Sequence, residues 1–229
     1  MAQQYLPYHV YKIIPEFLKY RKLTFDGETL RPTAKDFGDR DTIIPLIMRF
    51  GYYRIDAKLQ TSEVQDLVVI YILPAESKYS HHSGDLRGLI SSLDSDKKIV
   101  PHVDKNRLYE VIIIVDESML IKKNLTDVVL EFRGKNQPPF YNMYPFPIFS
   151  VVIPKVVGVQ PHRIITREEA DAYMKREYII SQDLNTISTS DPPVVWLGAH
   201  PGDFIEIERL SETAGKAITV RIVTPGKII

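Results

Sequence analysis

The chain is 229 residues long, with 44% hydrophobic and 25% charged side chains, a make-up that suits one large or two small globular cores. Its 29 Lys and Arg match its 29 Asp and Glu. The balance holds in residues 1–154 and again in 155–229, so neither half reads as a free-standing basic binder of nucleic acid, although a local basic patch stays open. Cysteine is absent, which excludes disulfides, thiolate catalysis and cysteine-ligated zinc and fits a reducing compartment.

No basic stretch followed by an apolar run is visible at the start, and runs such as Val111–Val115 are far too short to cross a bilayer. The expectation is a soluble intracellular protein. Val10, Ile13, Ile14, Phe17 and Leu18 follow helical spacing, with Pro15 expected to kink or divide the segment. Residues 24–41, polar and holding Gly27, Pro32 and Gly38, read as a loop. Residues 43–50 resume a helix-like pattern around Pro45, and Tyr52–Ala57 alternates as a strand after Gly51.

Leu67–Leu73 is almost continuously apolar and stops at Pro74, as expected of a strand covered on both faces. Leu86, Leu89, Ile90 and Leu93 share one helical face. A charged connection, residues 94–107, leads to a second buried strand, Tyr109–Val115, closed by Asp116 and Glu117. Asn124–Phe132 is a further helix with Leu125, Val128, Val129 and Phe132 on one side, and residues 142–144 and 148–153 read as a third and fourth strand around Pro145 and Pro147. Strands alternating with helices predict a small α/β layer with partly parallel pairing. Residues 154–161 hold two prolines and a glycine and mark a boundary between domains 1–154 and 155–229.

Beyond it, Thr166-Arg167-Glu168-Glu169 has the form of a capping box, with the Thr166 hydroxyl taking the N–H of Glu169 and Glu169 reaching back. The helix runs to about Arg176 with Ala170, Tyr173 and Met174 inward; residues 178–180 read as a short strand and 183–187 as irregular. Asp191 then caps a short helix with Pro192 at its first position and Gly198 at its end. Phe204–Arg209, a turn over residues 211–215 and Ala217–Val223 form a hairpin. The second domain is thus a small α+β unit.

Candidate chemistry is sparse. His81, His82 and Asp85 are the one cluster of metal-ligand types, but adjacent side chains diverge and a third ligand is not evident. Asp66, Asp116, Glu117 and Lys122 invite a nuclease reading, which needs two carboxylates converging on one ion; the acidic-x-lysine pair on one strand is missing, since residues 112–115 are uncharged. Lys122, Lys123 and Asn124 stand at a helix start, where cations and free N–H groups suit a phosphate, and Lys78 and Arg87 bracket another helix start that would add to the same face. Trp196, the sole tryptophan, reads as core or as a subunit contact.

The order and spacing of residues 162–169 (HRIITREE), Ser190-Asp191-Pro192-Pro193, Leu197-Gly198, Pro201-Gly202-Asp203 and residues 211–216 (SETAGK) resemble the common fifth subunit of eukaryotic nuclear RNA polymerases and its archaeal counterpart. Trp196 replaces a usual tyrosine, and Asn185-Thr186-Ile187 a usual Leu-Pro segment. Residues 51–54, 81–93 and 111–131 fit in outline, and look most like the version in large cytoplasmic DNA viruses of the asfarvirus type. The resemblance implies a non-catalytic polymerase subunit without cofactor or membrane contact. Its C-terminal domain would dock on the largest subunit and its N-terminal domain, a nuclease-like layer, would form the lower jaw near downstream DNA. The location implied is the nucleus for a cellular protein, and host cytoplasm and virion for a viral one. It places the DNA-approaching loop near residues 118–124, where Lys122-Lys123 stand in place of a usual Thr-Pro. It puts the assembly surface on Thr166, Asp191, Pro192, Trp196, Gly198, Gly202, Asp203, Arg209, Ser211, Glu212, Thr213, Gly215 and Arg221. A nuclease-like enzyme with a docking domain and a transcription adaptor are the alternatives.

Overall fold

The computed structural model describes residues 6–25, 47, 50–60, 66–95, 107–133, 138–211 and 215–226. The chain divides into two units, the first running to Val151 and the second beginning at Val152. The first holds helix α1 (Leu6–Tyr20), strands β1 (Leu23–Phe25), β2 (Tyr53–Leu59) and β3 (Leu67–Leu73), helix α2 (Ser83–Ser95), strand β4 (Leu108–Val115), helices α3 (Glu117–Leu120) and α4 (Lys123–Phe132), and strand β5 (Phe140–Pro145).

These strands form one mixed sheet in the order β1-β2-β3-β4-β5. β1, β2 and β3 pair antiparallel, whereas β3, β4 and β5 run parallel, each parallel step bridged by helices as a crossover requires. Every residue of β3 is buried, and β4 is buried except at Tyr109. On one face Val69, Val111 and Ile113 meet Leu86 and Ile90 of α2 and Leu125 and Val129 of α4. On the other face lies Glu110, which pairs with Arg21 at the end of α1 at 2.9 Å and accepts from Asn142 Nδ2 at 2.9 Å. Both charges are almost wholly buried, so each needs the other.

Several expectations are corrected. Pro15 does not divide α1: it sits on the exposed side, and Val10, Tyr11, Ile14, Phe17 and Leu18, all buried, hold the helix together across it. The stretch expected to be a loop from residue 24 begins instead as the end of β1, while its remainder, and most of the helix-like segment 43–50, lies outside the described residues. The fourth strand is absent. Phe146–Phe149 and Ile153–Lys155 are short 3-10 turns, each carrying proline in its first two positions, where a missing N–H is harmless but a sheet ladder would lose a donor.

The second unit holds strand β6 (His162–Ile165), helix α5 (Arg167–Glu177), strand β7 (Thr186–Ser188), helix α6 (Pro192–Leu197) and strands β8 (Phe204–Ser211) and β9 (Gly215–Thr224). Its sheet is also mixed, ordered β6-β8-β9-β7, with only β7 and β9 parallel. Ala170 and Met174 of α5 pack on Ile165, Phe204 and Val220. Val194 of α6 packs with Ile187, Ile205 and Val223, which alternation places on the opposite face. Residues 178–180 are not a strand: Tyr178 adopts φ 57° as the left-handed cap of α5, and Ile179 returns its N–H to the Met174 carbonyl at 3.0 Å. Part of the segment expected to be irregular, residues 183–187, is β7, whose parallel pairing with β9 no local pattern announces.

Candidate nucleic-acid edge and assembly surface

Because β3 and β4 are parallel, the chain leaves both at the same edge of the first sheet. After β3 it turns through a 3-10 segment, Lys78–Ser80, into α2. After β4, Asp116 caps α3 by accepting the Ser118 N–H at 2.9 Å, and the chain turns at Ile121 and Lys122 into α4. Lys122 connects the two exits: its ammonium donates to the Ser80 carbonyl at 3.1 Å and lies 3.4 Å from His81 Nδ1. Lys122 also occupies the N-cap of α4 without a side-chain cap bond, and Lys123 and Asn124 follow it, exposed. Ligands of parallel sheets commonly bind at this carboxyl end of the strands.

Two cations expected at this edge are engaged elsewhere. Lys78 lies over the Tyr79 ring at 4.9 Å. Arg87 directs its fork at Glu131 of α4, at 2.8–3.1 Å, and so ties α2 to α4; this pair is half exposed and contributes little stability.

The nuclease quartet does not converge. Asp66 precedes β3 and Asp116 follows β4, which places them at opposite ends of parallel strands, roughly 26 Å apart at about 3.3 Å per residue. Asp66 is held by Arg107 through both oxygens, at 2.9 and 2.8 Å, and that hydrogen-bonded guanidinium keeps its carboxyl below the usual range. Among the described residues no three of His, Asp and Glu stand together as a metal site.

In the second unit the capping box forms in full. Thr166 Oγ1 accepts the Glu169 N–H at 3.2 Å, and Glu169 Oε2 accepts the Thr166 N–H at 2.8 Å. Arg163 of β6 donates to Glu169 at 2.7 Å and to Glu206 of β8 at 3.1 Å, joining both strands to the helix start. Arg163 and the Thr166 N–H together hold the Glu169 carboxyl below its ordinary range.

Asp191 stands at the N-cap of α6 and its carbonyl takes the Val195 N–H at 2.9 Å, but its carboxylate makes no cap bond. That carboxylate is half-buried; burial pushes its pKa up, against the opposing pull of His162 and Arg221. Arg221 in turn has its Nε buried without a hydrogen-bond partner. Pro192 opens the helix, and Gly198, at φ 74°, closes it with its N–H shared between the Val194 and Val195 carbonyls.

Gly202 donates to the Val223 carbonyl at 2.9 Å, Asp203 takes the His200 N–H on its carboxylate at 2.7 Å, and Val223 donates to the Asp203 carbonyl at 2.8 Å. This turn therefore fixes the start of β8 against the end of β9. Arg209 is exposed, Ser211 pairs with Gly215 at the far end of the hairpin, and Glu212 and Thr213 lie outside the described residues. Trp196, read as core or as a subunit contact, is core: it is 0% exposed, because α6 buries Val194, Val195 and Trp196 together, and so it does not belong to the surface on which the resemblance puts assembly.

Sequence reasoning missed a lock at the end of β9. Gly226 donates to Thr189 Oγ1 at 2.7 Å, and a Cβ there would run into the hydroxyls of Ser188 and Ser190. No local signal announces it, because Gly226 and the Ser188-Thr189-Ser190 run are far apart in the chain and meet only in the fold.

Comparison with known proteins agrees with this two-unit plan. The family profile described as RNA polymerase Rpb5, C-terminal domain, matches residues 151–223. The DNA-directed RNA polymerase RPB5 homologs of two African swine fever virus isolates are each 40% identical over 228 residues, spanning 100% of this chain and 100% of theirs. The DNA-directed RNA polymerase subunit Rpo5 of Thermococcus kodakarensis is 45% identical over 78 residues, 34% of this chain and 89% of its own. The chain belongs to the RPB5 family of DNA-directed RNA polymerase subunits.

Proposed function

We propose that the chain is a subunit of a multisubunit DNA-directed RNA polymerase, with no reaction step of its own. The second unit is its assembly module, docked on the largest subunit, and the first is a jaw domain near downstream duplex DNA. The reading is carried by the end-to-end likeness to the viral RPB5 homologs. It is supported by the failure of Asp66 and Asp116 to meet. The same relatives support a viral setting, and for a viral protein the reading places the chain in host cytoplasm and virions. The strand edge built around Lys122, Lys123 and Asn124 is the part that faces DNA; Lys78 and Arg87 contribute less, since one stacks on Tyr79 and the other pairs with Glu131.

A tagged chain purified under native conditions brings down the large polymerase subunits; recovery as a stable lone monomer overturns the reading. Lys122→Ala with Lys123→Ala leaves that assembly intact and weakens retention of downstream duplex, reducing the slope of log affinity against log salt by about two. A loss of assembly with unchanged DNA retention would remove the lysines from the DNA edge.

A further inference from the structure

The β8–β9 hairpin outruns the sheet that holds it. β6 pairs with β8 only from Phe204 to Ile207, and β7 with β9 only from Ile222 to Thr224, whereas β8 and β9 pair with each other as far as Ser211 and Gly215. The overhang is a two-stranded arm, and a ribbon of two strands is marginal in water without a third strand or a covering element.

The register says which backbone groups are open. The Val223 N–H donates inward to Asp203, so by alternation Gly215, Ala217, Thr219 and Arg221 also face β8, while Lys216, Ile218, Val220, Ile222 and Thr224 face outward. Of the outward set, Ile222 donates to the Asn185 carbonyl and Thr224 accepts from the Thr189 N–H. Lys216 and Ile218 have no strand beside them among the described residues.

The side chains along this edge are suited to company. Ile218 is 45% exposed and continues the row of Val220 and Ile222, which pack with the cluster under α5. The charge that guards the edge, Lys216, is matched with Glu208 at 2.7 Å, whereas Arg209 is exposed with no partner among the described residues. Ala217, opposite Arg209, is too short to block it from reaching across β9. Natural edges are usually blunted by free charges, prolines or bulges. On this edge strand the lysine is paired and the isoleucine uncovered, and the one cation nearby without a partner among the described residues, Arg209, reaches in from β8.

We infer that the outer edge of β9 at Lys216–Val220 takes an extended segment of a neighbouring polymerase subunit as an added strand. Main-chain hydrogen bonds from Lys216 and Ile218 supply the attachment, an apolar side chain of the added strand covers Ile218, and an acidic one answers Arg209. A second copy of this chain fits less well, because its arm brings the same Arg209 and the same Glu208–Lys216 pair and leaves the cation unanswered. The inference rests on the assembly role of the second unit and specifies how that unit binds.

The test uses the full chain expressed with the rest of its polymerase. Ile218→Pro deletes an outward N–H while sparing the inward bonds to β8, and Ile218→Thr keeps the N–H and removes the apolar contact. The expected result is a folded Ile218→Pro chain whose recovery with the large subunits falls at least tenfold, and an Ile218→Thr chain reduced by a few-fold. Should the proline variant not fold, residue-resolved hydrogen exchange on the wild-type chain decides: the Lys216 and Ile218 amides exchange freely in the isolated protein and slow at least a hundredfold in the assembled enzyme. Unchanged recovery of a folded Ile218→Pro chain, or absent protection in the complex, overturns the inference. So does a wild-type dimer that the proline variant turns into a monomer, which assigns the edge to a second copy. Failure of the wild-type chain to assemble at all would instead overturn the polymerase reading.

Discussion

β4 in the first unit and β9 in the second are strands of similar length that meet opposite fates. β4 has a strand on each side and is buried along nearly its whole length, and its one charged residue, Glu110, is answered inside the chain by Arg21 and Asn142. β9 has neighbours along both edges for only three residues, and its Arg221 keeps a buried Nε without a partner. The first unit therefore answers its central charge from within. The second leaves open backbone, an exposed isoleucine and half-answered charges, as a module completed by assembly would. Buried polar atoms without partners are costly wherever they stand, and the first unit keeps some too, at Tyr11 Oη and Arg21 Nη1; what sets the second unit apart is its open backbone edge.

The comparison breaks first at Trp196. As a fully buried ring, its replacement by alanine should cost about 3–5 kcal/mol of stability, read as a lower denaturant midpoint at unchanged slope. A variant of normal stability that failed only to assemble would return Trp196 to the partner surface and make α6 as open as β9. The capping box offers a smaller effect. Thr166→Ala should lower stability by about 1 kcal/mol, since it frees the Glu169 N–H at the exposed start of α5. A loss much above that would mean the Arg163–Glu169–Glu206 group depends on the cap for its geometry.

What was legible in the sequence follows from the range of the forces involved. Leu67–Leu73 was readable because burial of both faces leaves an unbroken apolar run, and the Thr166 box because its two bonds span three residues. The segment 148–153 misled because it is equally apolar, while the prolines at 147 and 154 favour tight turns and forbid a ladder. Asp66 and Asp116 could be judged only once β3 and β4 were known to be parallel, since an antiparallel pair would have brought them to one end. The Lys122–Ser80 contact likewise crosses 42 residues and exists only because two strand exits are neighbours. Resemblance implies an assembly surface on α6 and the hairpin but does not say which of those residues are core; burial separates Trp196 from Asp191 and Arg209.

Asp191 gives the smallest effect and the sharpest sign. Its folded pKa lies above the ordinary value of 3.8 because burial disfavours the charged form, with His162 and Arg221 only partly compensating. Below 3.8 the group is protonated in both states and carries no penalty; as pH rises through the folded pKa, the buried charge removes stability. Asp191→Asn, which loses no cap bond because none exists, should therefore raise the melting temperature slightly at pH 7 and leave it unchanged near pH 3. In the assembled polymerase the sign should reverse, since a carboxylate poorly satisfied in the free chain is the group a partner's cation can satisfy, and recovery with the large subunits should fall. Stabilisation without loss of assembly would make Asp191 a residue of local strain only, and would narrow the open part of the second unit to the β9 arm.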